Sequence, residues 1–138
     1  MSIKDIQNQI IEEFSVFEDW MDKYEYLIEL GKSVPIIKES DKTDSNIIKG
    51  CQSRVWLSVE YKDGKLFFKA DSDAIITKGI ISLLIRVFSE REPKEIIESD
   101  LFFLDEIGLK NNLSPTRANG LISMINQIRY YAVLYNKL

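Results

Sequence analysis

The stretch VWLSVEYKDGKLFFKA, residues 55–70, decides the fold. Apolar and polar side chains alternate along residues 55–61 and again along 66–70, as in strands that bury one face. Asp63-Gly64 between them is a preferred two-residue hairpin turn, and it fixes the register. The predicted cross-strand pairs are Lys62 with Lys65, Tyr61 with Leu66, Val59 with Phe68, and Leu57 with Ala70. One face of the hairpin is then wholly apolar and needs helices packed against it, while the other is polar except at Phe67.

The residues before the hairpin predict two helices and a loop. Ser2 is a suitable N-cap for a first helix, and Ser15 with Glu18 forms a capping-box pattern that predicts a second helix over about residues 16–30, ending at Gly31. Residues 32–46 are polar and rich in turn formers, which is typical of a loop. The apolar residues at helical spacing in the first helix are Ile3, Ile6, Ile10, Phe14 and Phe17.

The residues after the hairpin predict a largely helical second half. A strongly apolar helix follows Asp71-Ser72-Asp73, whose two carboxylates we predict either to cap that helix or to hold the neighbouring cysteine loop. Pro93 opens a short helix, residues 101–107 form another, and Ser114-Pro115 begins a long last helix. Strands flanked by runs of helices indicate an α+β fold with a small antiparallel sheet packed on one face by helices. We expect one domain over residues 1–138.

The composition excludes several classes of function. Twenty-two acidic residues against 18 basic ones give a net charge of −4, which disfavours nucleic-acid binding. The absence of histidine excludes mechanisms that need an imidazole, and one cysteine cannot form an internal disulfide or hold an iron–sulfur cluster alone. The N-terminus resembles no signal peptide, and the most apolar stretch is too short to span a membrane, so we expect a cytoplasmic protein with no membrane partner.

Cys51 is the candidate reactive residue. It lies between the polar loop and the first strand, a position from which a scaffold can present a reactive group. Gly50 permits unusual backbone angles, and the cations Lys49 and Arg54 are expected to favour the thiolate over the thiol. The alternative interpretation is that Cys51 is a small buried apolar residue, which is common for a lone cysteine.

Four segments of the chain resemble one known family. Residues 49–57, KGCQSRVWL, are similar to the Gly-Cys-Gln-Ser-x-Val-Trp signature of the SufE family of sulfur acceptors. The other three segments are DWMDKYEYLIELG at 19–31, ADSDAIITKG at 70–79 and LSPTRANGL at 113–121. The four segments occur in the family's order and span almost the whole chain, so the resemblance favours a functional thiol at Cys51.

The resemblance implies a fold like that of the IscU cluster scaffold and a role in sulfur transfer. A SufS-like cysteine desulfurase, which carries its own pyridoxal phosphate, would hand persulfide sulfur to Cys51 and be stimulated by its removal. The sulfur would pass to a SufBCD-like scaffold complex that builds iron–sulfur clusters. The chain itself would need no cofactor or metal and would not be a stand-alone enzyme. The candidates for supporting the loop or contacting a partner are Lys49, Gly50, Gln52, Ser53, Arg54, Asp73 and Arg117.

Two alternatives stay open at this stage. The chain could be a non-covalent adaptor that activates the desulfurase while Cys51 only packs, or a CsdE-like carrier that serves another acceptor. Asn112 stands where relatives often carry a histidine, so any role of that histidine is dispensable or lost here. Thiolate attack on a persulfide needs no internal general base, which agrees with the histidine-free composition.

Overall fold

The hairpin and seven helices make up the architecture in a computed structural model that describes residues 1–137. The strands are β1 (Val55–Lys62) and β2 (Lys65–Ser72). The helices are α1 (Ile3–Ser15), α2 (Trp20–Gly31), α3 (Ile75–Phe88), α4 (Pro93–Glu98), α5 (Phe103–Glu106), α6 (Leu109–Asn112) and α7 (Pro115–Asn136). Two 3₁₀ turns, Glu39–Asp41 and Asp44–Asn46, lie between α2 and β1.

The hairpin has the predicted register. All four cross-strand pairs predicted from the Asp-Gly turn are confirmed. The predicted apolar face is buried at Leu57, Leu66, Phe68 and Ala70, each at most 1% exposed. Tyr61, near the turn, remains 41% exposed, and its ring stacks on that of Tyr135 in α7 with the centroids 5.3 Å apart, so α7 covers the face even close to the turn.

Helix α3 is the central element. It packs against β2, α2 and α7, and most of its apolar side chains are fully buried. Because burial of each such side chain contributes about 1.5–3 kcal/mol, this helix supplies much of the energy that holds the two halves of the chain together. Its N-terminal turn and the start of α7 lie beside the segment that carries Cys51.

Several helix boundaries confirm the sequence predictions and others correct them. Ser2 caps α1 in a capping box with Asp5. Pro93 is the first residue of α4, and Ser114 is the N-cap of α7, both as predicted. The predicted capping role of Ser15 is wrong: Asp19 caps α2 by accepting from the Met21 N–H at 3.1 Å. The two 3₁₀ turns and α6 were not predicted, and α5 is shorter than the expected 101–107 segment.

The length and hydropathy of each helix decide whether it could cross a membrane. Among residues 1–137, no helix is both long enough and apolar enough to cross a bilayer.

Candidate functional site

The segment that carries Cys51 is a closed loop at the root of β1. The Ile48 N–H donates to the Val55 carbonyl at 2.8 Å, and Ile47 forms an isolated bridge with Trp56. Ile48 and Val55 are buried at 2% and 0% exposure, so both ends of the loop are anchored in the core. Residues 49–54 therefore project from a rigid base.

Gly50 lets the loop approach α7. Its φ of +94° lies in the region that side chains other than glycine rarely adopt. A Cβ at this position would also lie 2.4 Å from the Ser123 hydroxyl oxygen of α7. Both constraints require glycine immediately before the cysteine.

The far end of the loop is held by the residues that follow β2. The Asp73 carboxylate accepts from the Arg54 N–H at 3.0 Å, while the Ser72 hydroxyl donates to the Arg54 carbonyl at 2.8 Å. Asp73 thus contacts the end of the loop, and it does not cap α3, because the N-cap of α3 is Ala74 and no side chain caps it. Asp71 does not cap the helix either. It pairs with Lys42 at 2.6 Å and with Lys78 at 3.2 Å.

The Cys51 thiol is half-buried and faces a pocket between α3 and α7. Its Sγ lies 3.6 Å from the Gly120 carbonyl oxygen, close enough for a weak S–H hydrogen bond. The pocket has a volume of about 340 Å³. Its walls are formed by Cys51, Gln52, Ser53, Asp73, Ala74, Thr77, Ile80, Thr116, Arg117, Gly120 and Met124.

The electrostatic prediction for Cys51 is wrong in this conformation. Burial raises the pKa of the Cys51 thiol, which favours the neutral form. Lys49 and Arg54 are exposed, and neither lines the pocket, so burial and not a neighbouring cation sets the direction of the shift. Lys49 and Arg54, although within three residues of Cys51 in sequence, therefore do not stabilise its thiolate in this conformation.

The structure brings together five of the eight predicted site residues. Cys51, Gln52, Ser53, Asp73 and Arg117 share the pocket wall, although they come from the loop, the end of β2 and the first turn of α7. Gly50 shapes the same loop from outside the pocket. Lys49 and Arg54 lie on the loop but are not part of the pocket wall.

Sequence reasoning missed the helical walls of the pocket. Thr77 is 6% exposed, and its hydroxyl oxygen lies 3.2 Å from that of Ser53, which ties the loop to α3. Gly120 lies inside a long helix, where glycine costs about 1 kcal/mol relative to alanine, and this penalty is a sequence signal for close approach by another group. Asn112 is not part of the pocket wall, and its side chain donates to the Gly108 carbonyl.

The arrangement suits a nucleophile that gains a small group. A disulfide-type S–S bond is about 2.05 Å long, and the pocket has room for one more sulfur on Cys51. The rest of the pocket wall carries hydroxyls, a carboxylate and an arginine as well as apolar side chains, so the site can shield and hold such a group. Within residues 1–137, no three His, Cys, Asp or Glu side chains are grouped as a metal ion would require.

A family model and curated relatives show one family, and a solved structure shows the same fold. The family model described as "SufE: Fe-S metabolism associated domain" matches residues 8–132. Uncharacterized SufE-like proteins of Rhizobium meliloti and Rhizobium etli are each 40% identical over 127 residues, which cover 88% of this chain and 91% and 86% of theirs. The solution structure of a hypothetical protein from Thermus thermophilus has a similar fold, with a TM-score of 0.78 and 18% identity, over 96% of this chain and 97% of that one.

Proposed function

The chain belongs to the SufE family, and from this membership we propose that it is a sulfur carrier with Cys51 as its acceptor. The family's association with iron–sulfur metabolism gives the chain a role in that process. In the proposed reaction, the donor is a cysteine desulfurase that uses its own pyridoxal phosphate. The receiver is a scaffold complex that assembles iron–sulfur clusters.

The observation that carries the proposal is the placement of Cys51 in the wall of a pocket. A cysteine that only packs would be enclosed by side chains, whereas this thiol borders about 340 Å³ of open space. It also lies on a loop anchored at both ends, so the sulfur has a defined resting position. A persulfide is easily oxidised or reduced, and this pocket would shelter its outer sulfur between partners.

The proposed transfer balances without an external oxidant or reductant. The Cys51 thiolate attacks the outer sulfur of the desulfurase persulfide, and a new S–S bond forms on Cys51. The S–S bond of the donor breaks, and the donor cysteine leaves as a thiolate. The desulfurase regains its free cysteine, which explains how a carrier would stimulate it.

We attribute the activating step to the partner. Burial raises the pKa of the Cys51 thiol in the resting conformation, and docking of the donor would move Cys51 away from Gly120 and towards the donor's active site. The exposed Arg117 at the rim of the pocket is suited to an acidic surface of that partner.

The direct test is intact mass spectrometry after incubation with a cysteine desulfurase and free cysteine. Because Cys51 is the chain's one cysteine, any persulfide must form there. We expect a gain equal to one sulfur atom that a thiol reductant removes. No gain, with a desulfurase that is active on its own, would contradict the carrier role.

The Cys51→Ser variant separates the carrier from the non-covalent adaptor. A carrier loses both the mass gain and the stimulation of cysteine turnover, whereas an adaptor keeps the stimulation. Serine has nearly the same volume as cysteine, and binding of the variant to the desulfurase is measured in parallel. That measurement shows whether any loss reflects missing chemistry or missing contact.

A further inference from the structure

A second pocket lies away from Cys51, along the outer edge of β2. Its volume is about 560 Å³, within the range of about 300–1,000 Å³ that is typical of small-molecule sites. It shares no wall residue with the cysteine pocket. The sulfur-transfer site therefore does not account for it.

One wall of this β2-edge pocket is hydrocarbon. Ile6 of α1, Leu30 of α2 and Ile85 of α3 contribute aliphatic surface, and Phe67 of β2 contributes a ring, whereas the ring of Phe68 is buried in the core. Phe67 was the exception to the polar outer face of the predicted hairpin, and this wall explains its presence. Such a surface favours the apolar body of a ligand.

The polar groups of the pocket are mostly unused donors. The Arg91 Nε–H is buried and has no hydrogen-bond partner among residues 1–137. The Ser89 hydroxyl accepts from the Phe68 N–H at 3.0 Å, which leaves its own hydrogen available. Lys69 is exposed and takes part in no ion pair within the described chain.

The charges around the pocket favour an anion. Arg86 is already paired with Glu13, so it adds little free charge. Arg91 and Lys69 remain, against the exposed carboxylate of Glu90. A group that accepts hydrogen bonds and carries negative charge would pair with the exposed ammonium of Lys69 and with the free hydrogen of the Ser89 hydroxyl, and the positive charge of Arg91 would add to the attraction.

We propose that the β2-edge pocket binds a small amphipathic carboxylate. Its apolar chain would lie against Ile6, Leu30 and Ile85, and its carboxylate would face Arg91 and Lys69. The proposal is independent of sulfur transfer, because no residue of the cysteine pocket takes part.

The test is a titration with decanoate below its micelle concentration, followed by amide NMR spectra of the full chain. We expect saturable shifts at the backbone amides of residues 67–69 and 89–91. Decanol, the neutral analogue, should bind about tenfold more weakly or worse, because it lacks the charge-assisted hydrogen bonds. Cys51→Ser should bind decanoate as the unmodified chain does, which separates this site from the proposed carrier function.

Three variants sharpen the result. Lys69→Gln should weaken decanoate binding severalfold, whereas Lys65→Gln, on the same strand but outside the pocket wall, should not. Ser33→Trp places a large ring on an exposed wall position and should abolish binding without touching the core. Shifts spread over other surfaces, equal binding of decanol, or binding of an acidic peptide but not of decanoate would overturn the proposal.

Discussion

The Cys51 sulfur rests 3.6 Å from the Gly120 carbonyl oxygen, at a point where α7 has no side chain. A Cβ built on Gly120 would lie 3.5 Å from that sulfur, an ordinary van der Waals distance. The thiol thus contacts the helix backbone directly, and the space in front of it belongs to the pocket. This contact holds the cysteine loop against α7 and shields the thiol from solvent on that side.

Enlarging Gly120 should expose the thiol in proportion to the size of the new side chain. Gly120→Leu would fill the space that Cys51 occupies, so we expect faster modification of Cys51 by a soluble thiol reagent. The measurement is the rate of thiol labelling in the folded protein.

Gly120→Ala is the matched control for that substitution. Its single methyl group fits at 3.5 Å, and alanine in a helix interior is favoured over glycine by up to about 1 kcal/mol. We therefore expect unchanged labelling and an equal or higher melting temperature. Faster labelling of the alanine variant would show that the resting contact is tighter than the structure indicates.

Removal of the Asp73 carboxylate should loosen the cysteine loop. Asp73→Ala loses the acceptor for the Arg54 N–H, which we expect to cost about 0.5–1.5 kcal/mol of folding free energy and to speed labelling of Cys51. Asp73→Asn keeps an acceptor oxygen in the same place and should restore both values. If the two variants behave alike, the charge of Asp73 matters more than its hydrogen bond.

Local signals in the sequence were sufficient for the hairpin and for the position of Cys51 on a loop before β1. The Asp-Gly turn with alternating residues on both sides fixed every strand pair, because a two-residue turn leaves one register. Cys51 was identified from its place between a loop and a strand and from the family signature. Ser2, Pro93 and Ser114 marked helix starts, because capping depends on nearest neighbours.

Features set by tertiary contacts were predicted poorly. Asp71 and Asp73 look like caps in sequence, but a lysine at position 42 and the backbone of Arg54 compete for them in the fold. The charges of Lys49 and Arg54 suggested a thiolate, yet their direction depends on a loop conformation that sequence spacing does not specify. Thr77 and Met124 line the pocket because α3 and α7 meet there, and the sequence alone does not indicate that the two helices are neighbours.

The reactivity of Cys51 should depend on pH in a way that reports its burial. Since burial raises the pKa of the thiol, the rate of alkylation by iodoacetamide should rise with pH around a midpoint above the ordinary cysteine value of about 8.5. The neutral thiol is the form that the fold favours. Its contribution to stability is complete below the pKa of the unfolded chain and is lost as pH rises through the folded pKa.

The unfolded chain is the control for that pH profile. In denaturant, the alkylation midpoint should return to the ordinary cysteine value, because burial is removed. A folded midpoint below the ordinary value would instead mean that a cation, Lys49, Arg54 or the Arg117 of the pocket wall, reaches the sulfur in solution. The resting geometry described here would then be a minor state.

The half-buried pair of Glu13 and Arg86 should control stability in acid. Hydrogen bonds from Arg86 hold the pKa of Glu13 below its usual range, and the Arg86 Nη1–Glu13 Oε1 distance is 2.8 Å. Arg86→Met removes the cation and should lower the free energy of unfolding by about 1–3 kcal/mol at neutral pH, between the values for surface and buried pairs. A lowered carboxyl pKa stabilises above the unfolded pKa, and this contribution disappears as pH falls through the folded pKa. Denaturant unfolding at a series of pH values should therefore show the unfolding free energies of the unmodified chain and of Arg86→Met converging as the pH falls below about 4.

Lys32→Met is the control, because it breaks the exposed pair with Glu29. It should change the free energy of unfolding little at any pH. A gap that persisted in strong acid would mean that Arg86 stabilises the fold through packing of its aliphatic stem and not through its charge.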